Sequence, residues 1–263
     1  MNILFIGDVV GNNGCEILRR CLPTLKREKA IDLTIVNGEN SAEGNGILPS
    51  SAEHIFSSGA DVITGGNHTL RRKEIYESLD TNPFLLRPHN MPKTLSGKGI
   101  CYVDLGYTTV AVINLLGTVY MESMDSPFFV ADSLIEQAKE NGAKIIVVDF
   151  HAEATSEKRA LGFYLDSRVS AVVGTHTHVQ TNDNQILEGG TAYITDLGMT
   201  GPINSVLGIK PEIAISKMRD KLPVRFMNAD GEAAVCGLIV SVDNKTGKAI
   251  STELVNINMQ RNI

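Results

Sequence analysis

Short apolar runs alternate with amphipathic stretches over the first third of the chain. Three runs have the length and composition of buried strands, namely residues 2–7, 32–37 and 61–64. Three stretches carry apolar positions at helical spacing, namely residues 14–29, 51–58 and 73–79. Pro23 lies where the first of these helices could kink or divide. Strands and helices that alternate in this way predict parallel βαβ units.

The pattern becomes richer in strands after residue 98. Residues 99–105 and 108–115 predict a hairpin with a tight turn at Gly106, and a helix is expected over residues 130–141, before Gly142. Further strands are predicted at residues 144–150, 170–174, 191–195, 224–228, 233–242 and 249–258. The sequence therefore predicts an α/β fold with two sheets in one domain, residues 1–263. A split into two domains near residues 80–99 is the alternative.

Composition restricts the classes of partner and the compartment. The chain has 263 residues, of which 43% are hydrophobic, so it can bury a sizeable core. Its net charge of -6 argues against a general grip on long nucleic acid or on anionic membranes. No apolar run reaches the roughly 18–20 residues of a membrane span, and the start lacks a signal-peptide pattern. The four cysteines form no CxxC pair, so we expect a cytoplasmic protein without a zinc-thiolate site.

Side chains that can bind metals follow five of the predicted strands. They are Asp8, Glu39 with Asn40, Asn67 with His68, His151, and His176 with His178. Ligands of an open parallel sheet bind beyond the carboxyl ends of its strands, so these distant residues are expected to converge. Each residue alone is more often a turn former, a cap or a hydrogen-bonded structural residue. That explanation must be invoked separately at every strand end, and we therefore interpret the set as a metal site.

The donor types indicate which metals such a site would hold. Nitrogen and oxygen ligands without thiolate fit manganese, iron or zinc. Seven candidate ligands (the set without His68) are too many for one tetrahedral zinc but fit two divalent ions that share a bridging carboxylate. Amide oxygens favour Mn²⁺ or Fe²⁺ over zinc. Two divalent ions would outweigh the charges of Asp8 and Glu39, so the site is expected to attract an anion such as a phosphate ester.

Several longer strings carry a resemblance to a known family. They are ILFIGDVVG (3–11), NGEN (37–40), GNH (66–68), DFHAEATSE (149–157), AVVGTHTHVQT (171–181) and GMTGP (198–202). In these blocks the chain resembles the calcineurin-like metallophosphoesterases, and among them the YmdB-like bacterial phosphodiesterases, over nearly its whole length.

The resemblance implies a four-layer α/β/β/α sandwich with two mixed β-sheets and a dinuclear metal centre, with Fe or Mn favoured and Zn as the alternative. It also implies hydrolysis of small phosphodiesters, including cyclic nucleotides, with a bridging hydroxide as nucleophile. Carried over residue by residue, it implies Asp8, Asn40 and His178 for one metal, Glu39 as the bridge, Asn67, His151 and His176 for the other metal, and His68 as the catalytic residue. His68 would donate either a proton to the leaving group or a hydrogen bond to the phosphate.

The chain departs from the wider superfamily at two ligand positions. Val10 stands where the superfamily usually has a metal-binding histidine, and Asn40 is expected to replace it, as in the YmdB-like group. Glu39 would bridge the metals where the superfamily usually has aspartate.

A third departure concerns the surface around the expected substrate. After Asn67-His68-Thr69 the family pattern has Trp and Asp, whereas this chain has Leu70 and Arg71 and contains no Trp. Arg71 and Arg72 could contact a substrate phosphate or could form a solvated helix start, and the pattern leaves both open.

Other functions fit the same residues. A phosphomonoesterase or a nuclease could use the same dimetal centre, although the lack of a broad basic surface disfavours long nucleic acid. A metal-bound regulatory protein with low turnover is the alternative from another class. We expect a small phosphodiester or cyclic nucleotide as the substrate and no membrane partner. The strand-rich end of the chain permits a homo-oligomer.

Overall fold

The computed structural model of the chain describes residues 1–259, which form two β-sheets flanked by helices. The strands are β1 (Asn2–Ile6), β2 (Asp8–Val9), β3 (Leu33–Asn37), β4 (Val62–Thr64), β5 (Ile100–Asp104), β6 (Thr109–Leu116), β7 (Ile145–His151), β8 (Ala171–Thr175), β9 (Gln185–Ile186), β10 (Ala192–Ile194), β11 (Met199–Pro202), β12 (Ala233–Val242) and β13 (Ala249–Met259). The α-helices are α1 (Gly11–Glu28), α2 (Pro49–Ser57), α3 (Tyr76–Thr81), α4 (Pro127–Glu140), α5 (Thr155–Leu165) and α6 (Pro211–Asp220). Two short 3-10 helices span Thr69–Arg71 and Lys73–Ile75.

The first sheet is built around three parallel strands. β1 pairs with β3, and β3 pairs with β4, all in the same direction, as the alternation of strand and helix predicts. β12 runs antiparallel to β1, to β11 and to the long edge strand β13. The short strand β2 extends β1 past Gly7 and pairs in parallel with β11.

The second sheet combines a predicted hairpin with a parallel core. β5 and β6 are antiparallel and joined through Gly106, as expected. β6, β7, β8 and β10 are parallel to one another, and β9 closes the far edge in the antiparallel direction. Both sheets are therefore mixed, as the resemblance implies.

The alternation of side chains along each strand produces four layers. On β1, Leu4 and Ile6 face one side and pack with α1 and α2, whereas Ile3 and Phe5 face the other side. Those two pack against residues of the second sheet such as Val112, in a core between the sheets. A third cluster lies between the outer face of the second sheet and helices α4 and α5. This order of layers is the expected α/β/β/α sandwich.

Helix α1 runs unbroken through Pro23. Proline removes one backbone hydrogen bond inside a helix. The helix nevertheless continues, because its apolar face, which includes Leu18, Leu22 and Leu25, is buried against the first sheet.

One predicted strand is wrong, and two α-helices and the short strands β2, β9 and β11 were not predicted. Residues 224–228 form no strand, and their only β-type pairing is an isolated bridge between Asn228 and Ile209. Helices α5 and α6 lie in stretches for which the pattern gave no element. Among the helices of residues 1–259, none is long and apolar enough to span a bilayer.

Candidate metal centre

The two sheets bring their strand ends to one place. Asp8, Glu39 and Asn67 follow the carboxyl ends of the parallel strands β1, β3 and β4 in the first sheet. In the second sheet, His151 is the last residue of β7, and His176 comes directly after β8. The expected convergence is therefore present, although the donors come from two facing sheets and not from one.

Four donor atoms form one group. His151 Nε2 lies 3.1 Å from Asn67 Oδ1 and 3.0 Å from His176 Nδ1. Glu39 Oε1 is 3.2 Å from the same His151 nitrogen. The metal-capable atoms of Glu39, His151 and His176 all lie within 4.8 Å of one another, which is the spacing of ligands around a single cation.

A second group of donors also contacts Glu39. His178 Nε2 is 3.6 Å from Asp8 Oδ1 and 3.3 Å from the side-chain amide of Asn40. Asn40 Nδ2 also donates a 2.9 Å hydrogen bond to Glu39 Oε1. Glu39 thus contacts members of both groups through one oxygen, the position that a bridging carboxylate requires.

The charge at this site calls for a cation. Asp8 and Glu39 are 0% and 1% exposed, and no Lys or Arg of residues 1–259 forms an ion pair with either. Asp8 Oδ1 is buried and accepts no hydrogen bond from the described residues. A buried carboxylate oxygen without a partner is costly. The orphaned oxygen, together with the converging imidazoles and amides, fits a divalent metal ion.

Protonation of the site in the absence of metal follows the same charges. Burial raises the pKa of Glu39, but the charge of His151 and its hydrogen bond outweigh burial and hold that pKa well below its usual range. Burial opposes the charge on His151, but Glu39 prevails and raises the pKa of His151 to about 9. Burial, followed by the charge of His151, lowers the pKa of His176. A proton on His151 therefore stands where a cation would bind, and metal binding must displace it.

A chain of hydrogen bonds orients the His151 ring. The hydroxyl of Thr175 donates to Asp149 Oδ1 at 2.7 Å, so its oxygen accepts from His151 Nδ1 at 2.9 Å. That bond leaves Nε2 directed at the other donors. Asp149 is buried, and it also accepts hydrogen bonds from Thr64 and from Asn37. Partners of this kind fix the tautomer and the orientation of a ligating imidazole.

The loop that carries the other two imidazoles is held by a buried ion pair. His176 and His178 both have left-handed backbone conformations, with φ of 107° and 63°. Lys158 Nζ donates to Thr175 O at 2.8 Å and to Asp196 Oδ2 at 2.6 Å. Asp196 in turn accepts the backbone N–H of Thr177 at 3.0 Å. The strained conformation persists because residues on both sides of His176 are tied to this pair.

Further contacts orient the rings themselves. His176 Nε2 lies 2.9 Å from Glu153 Oε2, and the backbone N–H of His176 donates to Asp8 Oδ2 at 3.1 Å. His178 Nδ1 lies 3.1 Å from Leu207 O, which directs Nε2 toward Asp8. Three further acidic residues lie beside these imidazoles. Asp149 orients His151 through Thr175, and Glu153 contacts His176 directly, whereas Asp196 holds Lys158 and the backbone of Thr177.

His68 lies at the rim of the site. Its backbone N–H donates to Glu39 Oε2 at 2.7 Å, and its ring nitrogen Nδ1 lies 3.0 Å from Asn40 Oδ1. Its side chain is 23% exposed, so it can reach a bound molecule. The expected position beside the substrate site is consistent with this geometry.

Gly66 shows why glycine precedes the donors. A Cβ at this position would lie 2.4 Å from both Glu39 Oε2 and His151 Nε2, inside the space between the donors. Its φ is not left-handed, so glycine is needed here for close approach and not for a turn.

A cavity of about 600 Å³ opens beside the donors. Its lining includes Glu39, Asn40, His68, His176 and His178. Volumes of this size are typical of pockets for small molecules. The donors therefore border a cleft that a small molecule can enter.

Sequence reasoning missed Thr175, Lys158 and the apolar residues of the cleft. Thr175 stands between Gly174 and His176 in a recognised string, and this placement was an available signal. No sequence signal pointed to Lys158, because its partners lie 17 and 38 residues away along the chain.

Comparison with known proteins identifies close relatives. The model of the family described as YmdB-like protein matches residues 4–255. A 2′,3′-cyclic-nucleotide 2′-phosphodiesterase of Bacillus subtilis is 49% identical over 258 residues, which cover 98% of this chain and 97% of that protein.

Solved structures agree with these matches. A hypothetical protein from Thermus thermophilus superposes with a TM-score of 0.93 at 36% identity, over 98% of this chain and 99% of that one. A structure from Mycoplasma pneumoniae described as a novel phosphatase gives a TM-score of 0.92 at 35% identity, over 98% and 93%. A 5′-nucleotidase precursor from Thermus thermophilus shares the fold with a TM-score of 0.62 at 13% identity, over 98% of this chain and 54% of that one.

Proposed function

The chain belongs to the YmdB-like family, and from that premise we propose that it is a metal-dependent phosphodiesterase that hydrolyses 2′,3′-cyclic nucleotides. The Bacillus subtilis relative carries the name of this activity. The observation that carries the proposal is the convergence of carboxylate, amide and imidazole donors from both sheets beside an open cleft.

The two groups of donors suggest how two divalent ions would be held. Asn67, His151 and His176 would bind one ion, Asp8, Asn40 and His178 would bind the other, and Glu39 would bridge them. Fe or Mn is the pair we favour, with Zn as the alternative, because amide oxygens belong to the set. When bound, two such ions would supply positive charge for the phosphate and a water nucleophile activated at neutral pH.

Asn40 links metal binding to the state of His68. The side-chain amide of Asn40 presents Nδ2 toward Glu39 and His178. A flip of this amide would present Oδ1 to the same place instead. Nδ2 would then donate to His68 Nδ1, which now lies 3.0 Å from Oδ1. His68 would be left with its proton on Nε2, from which it can donate to a phosphate oxygen or to the leaving oxygen.

The proposal also requires one domain, which we take to be residues 1–263. Of the seven proposed ligands, Asp8, Glu39, Asn40 and Asn67 belong to the first sheet, and the three histidines belong to the second. Neither half of the chain would hold the site alone.

The test combines metal analysis with a panel of substrates. Protein purified without chelator should contain about two equivalents of Fe, Mn or Zn. It should open adenosine 2′,3′-cyclic phosphate to the nucleoside monophosphate and should act poorly on that monophosphate. Glu39→Gln should lose metal and activity, whereas Glu140→Gln, an exposed change on α4, should retain both.

The phosphomonoesterase alternative has its own outcome in this panel. Faster release of phosphate from monophosphates would favour a phosphomonoesterase. Substoichiometric metal, or full activity in Glu39→Gln, would contradict the dimetal proposal.

A further inference from the structure

The cleft beside the metal centre is lined by two unlike kinds of side chain. Leu207, Ile209 and Phe226 form its apolar part, which we call the apolar wall. Asn45 and Arg71 line the same cleft, together with His68. A substrate that fills this cleft can therefore contact the metal donors, an apolar surface and a cation.

Arg71 points into the cleft because of the 3-10 helix at Thr69–Arg71. The Arg71 N–H donates to His68 O at 2.9 Å, which closes one turn of this helix. Side chains three residues apart in a 3-10 helix lie on the same face. His68 and Arg71 therefore share a face, and both line the cavity.

The guanidinium of Arg71 is available for a ligand, unlike that of its neighbour. Arg72 donates to Asn45 O at 3.2 Å and to Glu43 O at 2.6 Å, so it is used to hold the adjacent loop. Arg71 is exposed and forms no ion pair or side-chain hydrogen bond with any of residues 1–259. The two arginines, for which the sequence left open either phosphate contact or a solvated helix start, thus have different surroundings.

The apolar wall suits a nucleobase. Phe226 is 50% exposed and Leu207 is 49% exposed, although both line a cavity. An exposed aromatic ring is a surface on which a base can stack.

The structure of a 2′,3′-cyclic nucleotide matches this arrangement. Its cyclic phosphate occupies one edge of the ribose, and the base on C1′ and the C5′ carbon extend from opposite ends of the ring. With the cyclic phosphate at the metal donors and the base on Phe226, C5′ is the substituent that remains to reach Arg71, which lines the same cleft.

We propose that Arg71 binds a second, non-reacting phosphate, so that the preferred substrate is a 2′,3′-cyclic nucleotide that carries a phosphate on its 5′ oxygen. This inference rests on the proposed function and specifies its substrate. Guanidinium matches phosphate with two parallel hydrogen bonds, which makes Arg71 a residue that determines specificity.

The test compares two substrates on the full-length, metal-loaded protein. They are adenosine 2′,3′-cyclic phosphate with and without a 5′-phosphate. The wild type should prefer the 5′-phosphorylated substrate about tenfold in kcat/KM at low salt. Arg71→Ala should bring this ratio near one, and Arg71→Lys should retain part of it, because charge remains but the paired hydrogen bonds are lost.

The matched control is Lys73→Ala. It removes the same charge from an exposed neighbour outside the cavity lining, so the wild-type ratio should persist. A wild-type ratio near one, or an equal ratio in Arg71→Ala and the wild type, would overturn the proposal.

A binding measurement separates this proposal from the proposed function. Calorimetry with adenosine 3′-monophosphate and adenosine 3′,5′-bisphosphate needs no turnover. The wild type should bind the bisphosphate about tenfold more tightly, and Arg71→Ala should lose that difference. If neither cyclic substrate is hydrolysed, the proposed function fails, whereas equal affinities or no binding in the wild type would refute the role of Arg71.

Discussion

Replacement of Lys158 by methionine tests whether the buried ion pair holds the histidine loop. Lys158 and Asp196 are 1% and 0% exposed, and the ammonium donates both to Asp196 and to Thr175 O. Methionine keeps the apolar stem but removes the charge. Asp196 is then a buried carboxylate whose remaining partners include the N–H groups of Thr177 and Gly198.

The variant should lose the free energy of unfolding that is typical when one partner of a buried ion pair is removed. Such changes destabilise proteins by about 3–5 kcal/mol, and the two remaining N–H bonds favour the lower end of that range. Metal affinity should also fall by roughly 10–100-fold, because Thr175 and Thr177 flank His176. Asp196→Asn in the Lys158→Met background should recover part of the stability, because it removes the uncompensated charge.

Urea unfolding with chelator measures the first effect, and calorimetric titration with Mn²⁺ measures the second. Lys139→Met, an exposed change on α4, is the matched control and should alter neither. A loss of stability below about 1 kcal/mol, or an unchanged metal affinity, would refute this account of the loop.

Three further predictions concern the metal centre. Thr175→Val removes the hydroxyl between His151 and Asp149 at nearly constant volume. The affinity for Mn²⁺ in a titration should therefore fall roughly 10–100-fold, and an unchanged affinity would contradict the orienting role of Thr175. Gly66→Ala places a methyl carbon 2.4 Å from His151 Nε2, so the variant should fold by circular dichroism but contain less metal than the wild type, and full metal content would count against the site. Chelation of a metal-loaded sample should lower Tm by roughly 5–10 °C, because a ligand at 100 times its Kd stabilises the native state by about 2.7 kcal/mol. An unchanged Tm would mean that the native state binds no metal at this site.

The donors could be predicted because their positions follow from local sequence. Asp8, Glu39 and Asn67 each follow a short apolar run and a glycine, and a parallel sheet brings such positions together. The facing of two sheets was available only from the resemblance, since no local pattern encodes which sheet packs on which.

The elements that escaped prediction lack an ordinary apolar pattern. Helix α5 buries Glu157 and Lys158 together with its leucines, so its inward face does not read as apolar. Helix α6 buries Ala214 but exposes Ile215 and Met218. Residues 224–228 have the composition of a strand but form no ladder, because strand formation depends on a neighbouring strand as well as on propensity.

The division of the proposed ligands between the sheets has a mechanical consequence. Cations that join Asp8 and Glu39 to His151 and His176 would crosslink the two halves of the sandwich at one end only. Pulling or shearing the halves apart would then meet its greatest resistance at that end, and the opposite end would separate first.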